Sequence, residues 1–225
     1  NIHPGLLPYG RGSGAIQGEI LNGRRVIGQT IHLMDESFDR GEIVHQRCFQ
    51  LRGDEYLDEI DQILGQNNVD FYMEGLEKLR RNQRGMKVHG FGTYYPRKAP
   101  GDEILDWSQS SDVIFRKVRS RSPFIPSVTF CQSDWAEVKV WKVELSDIED
   151  YAFTPGQVLD RDISRGILVK TGDSAIWVTD VSYIDNDHQM PTFPIGTCFV
   201  SNWLVEIYWW SDKFIYTWLY WLPKF

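Results

Sequence analysis

The first half of the chain alternates between strand-like and helical patterns of apolar residues. Residues 26–34 (VIGQTIHLM) and 43–51 (IVHQRCFQL) are rich in β-branched and apolar side chains, which predicts two strands joined as a hairpin. Residues 13–21 predict a short helix that Asn22 and Gly23 end. Residues 54–81 have helical periodicity that a polar stretch, 65–68, interrupts. The apolar positions of that region are Leu57, Ile60, Ile63, Leu64, Val69, Met73, Leu76 and Leu79.

The second half changes to a pattern of short β segments. A helix is predicted over 108–121, and Pro123 and Pro126 end it. Five short strands then follow, at 128–130, 136–143, 156–159, 166–171 and 175–181, which favours a small barrel. The division we predict is a partial catalytic domain at 1–90, a connecting segment and helix at 91–126, a barrel at 127–202, and an aromatic tail at 203–225.

Composition indicates a packed protein with free thiols. The chain has 225 residues, of which 42% are hydrophobic, and only three cysteines, which are widely spaced. Buried thiols in a reducing cytoplasm are therefore favoured over a disulfide framework or a zinc site, and no signal-peptide pattern is seen. The tail contains five Trp and three Tyr, but its Glu206, Asp212 and Lys213 argue against a membrane span and favour packing on the barrel or on a second subunit.

The net charge of −7 is concentrated in the second half of the chain. Residues 1–130 contain 17 Lys and Arg and 17 Asp and Glu, whereas residues 131–225 contain 7 basic and 14 acidic residues. Neutralisation of phosphates by basic residues supplies most of the affinity of a protein for nucleic acid. The acidic half is therefore expected to repel a polyanion such as tRNA.

Three polar residues suit attack of an amine on a formyl group. Asn1 and His3 lie on one short loop, and Asp39 follows in a polar turn. An amide and an imidazole can hold the oxyanion of a tetrahedral intermediate. A carboxylate can orient the imidazole and move protons. The other reading is a loop Asn, a core His and a turn Asp with no common role. The histidines at 32 and 45 fall in predicted strands and are expected to be structural.

These residues resemble the motif of the folate-dependent formyltransferases. The family has Asn-x-His-Pro, a Leu-Leu-Pro loop and Asp-x-Gly-x-Ile, and here residues 1–8 and 39–43 match it with the same separation. Residues 94–100 and 104–108 resemble its interdomain stretch. The resemblance implies an α/β fold, namely the C-terminal remainder of a Rossmann-like formyltransferase domain followed by a small OB-like barrel. It further implies an N-terminal half on a longer or nicked enzyme, without which residues 1–225 are expected to be inactive. The alternative is a short paralogue that no longer catalyses.

The resemblance also implies the reaction, the transfer of a formyl group from 10-formyltetrahydrofolate to a primary amine. Asn1 would bind the formyl oxygen, His3 would stabilise the oxyanion, and Asp39 would orient His3 and accept a proton. The donor would contact Asp35, Glu36, Ser37 and Phe38, a segment that otherwise reads as an ordinary polar turn. No metal is implied.

The acceptor we expect is a nucleotide-linked amino sugar, with tRNA disfavoured by charge. Arg97 and Lys98 could bind its phosphates, although a solvated linker is an equal reading. Gly5, Tyr9 and Ala15 depart from the family pattern beside the acceptor. Open alternatives are a methionyl-tRNA formyltransferase, a formyltetrahydrofolate hydrolase and a non-catalytic binding module. We expect a cytoplasmic protein, a possible homodimer. The remaining expected acceptor contacts are Leu7, Pro8, Arg11 and Tyr95.

Overall fold

The computed structural model describes residues 1–66, 68–83, 85–87, 90–148, 152–183 and 187–201. The chain divides into two compact units, the first comprising Asn1–Pro100 with Arg116–Ile125 and the second comprising Gly101–Phe115 with Pro126–Phe225. The aromatic tail predicted at 203–225 lies outside the described residues.

The first unit contains a three-stranded antiparallel sheet. Its strands are β1 (Ile2–His3), β2 (Val26–His32) and β3 (Ile43–Gln50), in the order β1-β2-β3. The predicted hairpin of β2 and β3 is confirmed, with Thr30 opposite Gln46 and Ile31 opposite His45. The pattern did not predict β1, because two residues are too few to show an alternation.

Three helices accompany this sheet. They are α1 (Ala15–Leu21), α2 (Leu57–Gly65) and α3 (Asn68–Arg80), so the predicted interruption of the 54–81 helix is confirmed. The apolar stripe of α2 packs with Ile20, Ile27 and Leu51 in one buried cluster. Four apolar side chains of α3 are instead largely exposed, namely Val69, Met73, Leu76 and Leu79.

The second unit is built on a six-stranded antiparallel sheet in the order β6-β7-β8-β5-β4-β9. The division between the units falls within α4 (Ser111–Arg119). The main-chain N–H of Val158 donates to Thr197 at 2.8 Å, and that of Phe199 donates to Gly156 at 2.8 Å, so the sheet curls into a half-barrel. The strands are β4 (Ser127–Cys131), β5 (Glu137–Leu145), β6 (Val158–Asp162), β7 (Gly166–Lys170), β8 (Ala175–Ser182) and β9 (Phe199–Val200).

All five strands predicted for this half are present, and β9 was missed because it has only two residues. The expectation of buried thiols was wrong for one cysteine. Cys131 is buried and Cys198 is partly so, but Cys48 is exposed on β3, and all three thiols are free. Within the described part of the chain, no helix is long and apolar enough to cross a membrane.

Candidate active site

Strand register places Asn1 and His3 on one face of the first sheet. In the antiparallel pair of β1 and β2, His3 lies opposite Thr30. Asn1 lies opposite His32, and the two residues exchange two main-chain hydrogen bonds of 3.0 Å each. Side chains two residues apart on a strand point to the same side. The amide and the imidazole of the predicted motif are therefore presented together.

The loop after β1 is fixed by polar contacts to the sheet. The hydroxyl of Thr30 donates to the carbonyl oxygen of Gly5 at 2.6 Å and accepts from the main-chain N–H of Leu7 at 3.2 Å. The side-chain amide of Gln46 donates to the carbonyl oxygen of Leu7 at 2.9 Å. These bonds hold the loop rigidly, as a catalytic constellation requires. Leu7, expected to contact the acceptor, is buried with 3% of its surface exposed.

His3 is buried, and each of its ring nitrogens faces an oxygen atom. Its Nε2 lies 2.6 Å from the carbonyl oxygen of Gly10, and its Nδ1 lies 3.5 Å from Oδ2 of Asp39. A carbonyl oxygen only accepts, so Nε2 carries a proton. A Cβ on Gly5 would lie 2.8 Å from Nε2 and 2.7 Å from the Gly10 oxygen. The close approach of the loop to His3 therefore requires glycine at position 5.

Asp39 is held in a conformation that few residues adopt. Its φ of 55° is in the left-handed region, where Asp and Asn are among the better tolerated residues. Its Oδ2 accepts the main-chain N–H of Gly12 at 2.8 Å. A turn between β2 and β3 thus brings the carboxylate back to the loop that follows β1. The structure brings together the three residues expected to be catalytic, Asn1, His3 and Asp39.

A fourth side chain, His32, belongs to the same cluster. Its Nε2 lies 3.2 Å from Nδ2 of Asn1 and 3.6 Å from Oδ1 of Asp39, and its Nδ1 lies 2.9 Å from the carbonyl oxygen of Leu33. A register shift between Ile31 and His32 marks a bulge, and bulges re-aim side chains near active sites. Sequence reasoning treated His32 as structural, although its pairing with Asn1 could have been inferred if β1 had been recognised.

The segment expected to face the donor forms an exposed turn. The main-chain N–H of Ser37 donates to Oδ1 of Asp35 at 2.8 Å, and 84% of the Phe38 surface is exposed. Glu36 is exposed as well. No described contact joins these four side chains to His3, although the segment leads directly into Asp39.

Two of the residues expected to face the acceptor are neighbours, since the main-chain N–H of Tyr95 donates to the carbonyl oxygen of Arg11 at 2.7 Å. Arg11 is buried, and its guanidinium donates to the carbonyl oxygen of Phe91. The Tyr95 hydroxyl accepts from the side-chain amide of Asn22 at 3.0 Å. Arg97 is exposed, while Pro8 and Lys98 are half-buried.

Burial and charge perturb two groups beside the loop. Burial raises the pKa of Glu19, an effect that the nearby Arg24 partly offsets. Burial and the carboxylate of Glu19 both raise the pKa of Tyr95. This Glu19–Tyr95 pair lies under the loop, where the carboxylate also approaches Gly10.

Two concave regions adjoin the polar cluster. A cavity of about 490 Å³ is lined by Pro4, Gly5 and Tyr9 of the loop together with Glu19, Arg24 and Arg25. An apolar groove of about 420 Å³ begins at Asn1 and His32 and continues along Met34, Tyr72 and Leu76. Among the described residues, no group of three or more His, Cys, Asp and Glu side chains is placed to hold a metal ion.

Two family profiles match the chain over most of its length. Residues 1–76 match the profile described as formyl transferase, and residues 98–189 match that of the formyl transferase C-terminal domain. A methionyl-tRNA formyltransferase of Carboxydothermus hydrogenoformans is 29% identical over 183 residues, which is 80% of this chain and 58% of the relative. The chain thus spans somewhat more than half the length of that relative.

Solved structures show the same fold at lower identity. HypX from Aquifex aeolicus, crystallised with tetrahydrofolic acid, is 23% identical with a TM-score of 0.62, over 83% of this chain and 32% of that protein. An N-formyltransferase from Helicobacter canadensis, in complex with folinic acid and dTDP-3-aminofucose, is 18% identical with a TM-score of 0.57. That match covers 79% of this chain and 64% of the other.

Proposed function

The chain belongs to the formyl transferase family, and on that premise we propose that it transfers a formyl group from 10-formyltetrahydrofolate to a primary amine. The observation that carries the proposal is the cluster of Asn1, the buried His3 and the partly buried Asp39. Residues separated by up to 38 positions meet in this cluster. The register of β1 on β2 brings Asn1 and His3 to one face, and the left-handed turn at Asp39 returns its carboxylate to them.

The cluster supplies hydrogen-bond donors for the negative charge that develops and an acceptor for the proton that is released. The amine nitrogen attacks the formyl carbon, and the amide N–H of Asn1 stabilises the negative charge that develops on the formyl oxygen. His3 adds to this stabilisation if its Nε2–H turns to the formyl oxygen from the Gly10 carbonyl oxygen, to which it donates in this structure. Asp39 accepts the proton that the attacking amine loses, directly or through a water. The bond from the formyl carbon to N10 of the folate then breaks, and N10 takes up a proton.

The groove that begins at Asn1 fits a flat ring system better than a charged group. Its lining is mostly apolar, and the polar atoms at its end belong to Asn1 and His32. We place the pteridine of the donor near the turn formed by Asp35, Glu36, Ser37 and Phe38, since Met34 lines the groove and directly precedes that turn. The donor's formyl group would then reach the amide of Asn1.

A nucleotide-linked amino sugar is the acceptor that the observations support best. The cavity of about 490 Å³ that opens beside the loop residues Pro4 and Gly5 is within the usual size range of small-molecule sites. It presents Arg24 and Arg25, whose guanidinium groups suit phosphate. The fold is shared with the Helicobacter canadensis enzyme, which was crystallised with such a sugar.

Methionyl-tRNA is the second candidate, because the curated relatives are methionyl-tRNA formyltransferases. Against it stands the acidic composition of residues 131–225, which would have to face a polyanion. We propose that the curled sheet of the second unit is an OB-like barrel that acts as a scaffold and does not bind nucleic acid.

The test is a side-by-side assay of the full-length gene product with 10-formyltetrahydrofolate and three acceptors. These are a dTDP-linked amino sugar, methionyl-tRNA and water alone. We expect transfer to the sugar, and His3→Ala should lower its turnover by at least ~10². Formylation of methionyl-tRNA alone would reject the assignment of a sugar acceptor. Release of formate alone would indicate a hydrolase. No turnover with any acceptor would reject the assignment as an enzyme. A variant outside the cluster, His45→Gln, controls for folding.

A further inference from the structure

We propose that His32 is a positioning residue of this site, one that fixes the orientation of the Asn1 amide. The inference rests on the proposed function for its catalytic consequence, but its geometric content stands on the contacts of His32 alone. The motif of Asn1, His3 and Asp39 does not include this residue.

The hydrogen bonds determine which nitrogen of His32 carries the proton. Nδ1 lies 2.9 Å from the carbonyl oxygen of Leu33, which can only accept, so Nδ1 must be the donor. In the neutral ring Nε2 is then an acceptor. Nδ2 of Asn1, at 3.2 Å, is a donor and satisfies it.

This bond removes an ambiguity in the Asn1 side chain. An amide can rotate by half a turn about its last bond and exchange its oxygen for its nitrogen. With Nε2 of His32 as the acceptor, the amide nitrogen faces His32, and its second N–H remains for the formyl oxygen. The reversed amide would bring its oxygen against the lone pair of Nε2, which is unfavourable. By accepting one N–H of the Asn1 amide, His32 leaves the second N–H available for the formyl oxygen.

The same ring also lies beside Asp39 without a hydrogen bond to it, since Nε2 of the neutral tautomer and the carboxylate are both acceptors. Oδ2 of Asp39 faces Nδ1 of His3 at 3.5 Å, and Oδ1 faces Nε2 of His32 at 3.6 Å. The rings of His3 and His32 lie edge to face, with centroids 6.4 Å apart. Both rings are buried, with 4% and 3% of their residue surfaces exposed. The carboxylate therefore sits between two rings whose own positions are fixed by main-chain carbonyl oxygens.

The backbone shows how this arrangement is built. Asn1 and His32 exchange both main-chain hydrogen bonds, so they form a hydrogen-bonded antiparallel pair and lie directly opposite each other. The bulge between Ile31 and His32 interrupts the pairing with β3 at this point, where His32 faces Ile43. Position 32 is therefore tied to position 1 more firmly than to the strand on its other side.

The first experiment reads the tautomer directly and does not depend on activity. Nitrogen-15 spectra of the histidine side chains, recorded on the full-length gene product and assigned with His32→Gln, should show His32 protonated at Nδ1 and not at Nε2. The amide protons of Asn1 should shift when His32 is replaced. The opposite tautomer, or an Asn1 amide that does not respond, would overturn the proposal.

The second experiment uses a matched set of variants in the formyl-transfer assay. His32→Met retains the volume but has no ring nitrogens, and we expect turnover to fall by ~10-fold to ~10²-fold, with the KM for the donor changed by less than about 3-fold. His32→Gln, whose side-chain oxygen can still accept from Asn1, should recover part of the loss. His45→Gln replaces a histidine on β3 outside the cluster and should remain within about 2-fold of wild type.

The combination with Asn1→Ala separates positioning from stability. If His32 acts through Asn1, then His32→Met should cost much less in the Asn1→Ala background than in the wild type. Equal losses in both backgrounds, or wild-type turnover in His32→Met alone, would reject the proposal. An inactive wild type would instead reject the proposed function, while the tautomer measurement would still decide whether His32 holds the Asn1 amide.

Discussion

At the residue scale, the cluster depends on Asp39 more than on any other side chain. Its carboxylate accepts from the N–H of Gly12, faces both histidines and stands on a left-handed backbone. Strain of this kind costs of order 1–3 kcal/mol and tends to occur at functional sites. A simple turn would place glycine there, and a carboxylate at this position agrees with the proposed role of Asp39.

Asp39→Asn separates the charge of this residue from its shape. Asparagine tolerates the left-handed region, and its side-chain oxygen can still accept from Gly12, so we expect the melting temperature to change by only a few degrees. Turnover should fall by at least ~10², because the carboxylate that takes up the proton of the attacking amine is gone. Thermal unfolding and steady-state kinetics provide the two measurements. Turnover within a few-fold of wild type would remove Asp39 from the mechanism.

At the scale of elements, the pattern of apolar residues predicted the regular parts and missed the part that builds the site. The β2–β3 hairpin and the two helices between 54 and 81 follow from periodicity. The strand β1 has two residues, so it leaves no alternation in the sequence, yet its register pairs Asn1 with His32 and places His3 opposite Thr30. The sequence pattern predicts a structural role for His32, because its pairing with Asn1 follows only from that register.

The packing of α1 against the segment from the interdomain stretch was also not predictable. A Cβ on Gly18 would lie 2.2 Å from Cγ of Tyr95, so the aromatic ring of Tyr95 occupies the space beside the helix. Tyr95 was expected to contact the acceptor, and this packing gives its ring a structural role in addition. Helical periodicity does not reveal which glycine faces a ring that lies 77 positions further along the chain.

Gly18→Ala tests that contact. In an open helix position the change would stabilise by up to about 1 kcal/mol. Here the methyl group must displace a ring, so we expect a loss of ~1–3 kcal/mol in the free energy of unfolding. Gly65 of α2 has nothing within 4 Å of its Cβ position, and Gly65→Ala should therefore be neutral or stabilising. Denaturant unfolding measures both variants.

The Gly18→Ala penalty should shrink in a Tyr95→Ala background, because the obstructing ring is removed there. A penalty of the same size in both backgrounds would show that the ring is not its cause.

At the scale of the whole molecule, the distribution of charge bears on the acceptor. The seven-charge excess lies entirely in residues 131–225, while residues 1–130 are balanced. At physiological salt the Debye length is ~8 Å, so this field acts close to the surface and biases association without forbidding it. A tRNA must approach over a large surface and is affected by the whole acidic half. A sugar nucleotide needs only the loop and the cations beside it.

Reversing two exposed carboxylates of the second unit should therefore affect the two acceptors differently. Glu137→Lys with Asp147→Lys changes the net charge from −7 to −3, since each reversal adds two charges, and both side chains are exposed. We expect the wild-type gene product to bind methionyl-tRNA no more tightly than ~10⁻⁴ to 10⁻⁶ M at physiological salt, the range of non-specific association. The double variant should bind it more tightly at low salt, and transfer to the sugar nucleotide should stay within about 2-fold in both proteins.

Tight, salt-sensitive binding of methionyl-tRNA by the wild type would show that the acidic half does not face the acceptor, and the sugar assignment would lose its electrostatic support. Loss of sugar transfer in the double variant would instead place the surface around Glu137 and Asp147 within the acceptor path.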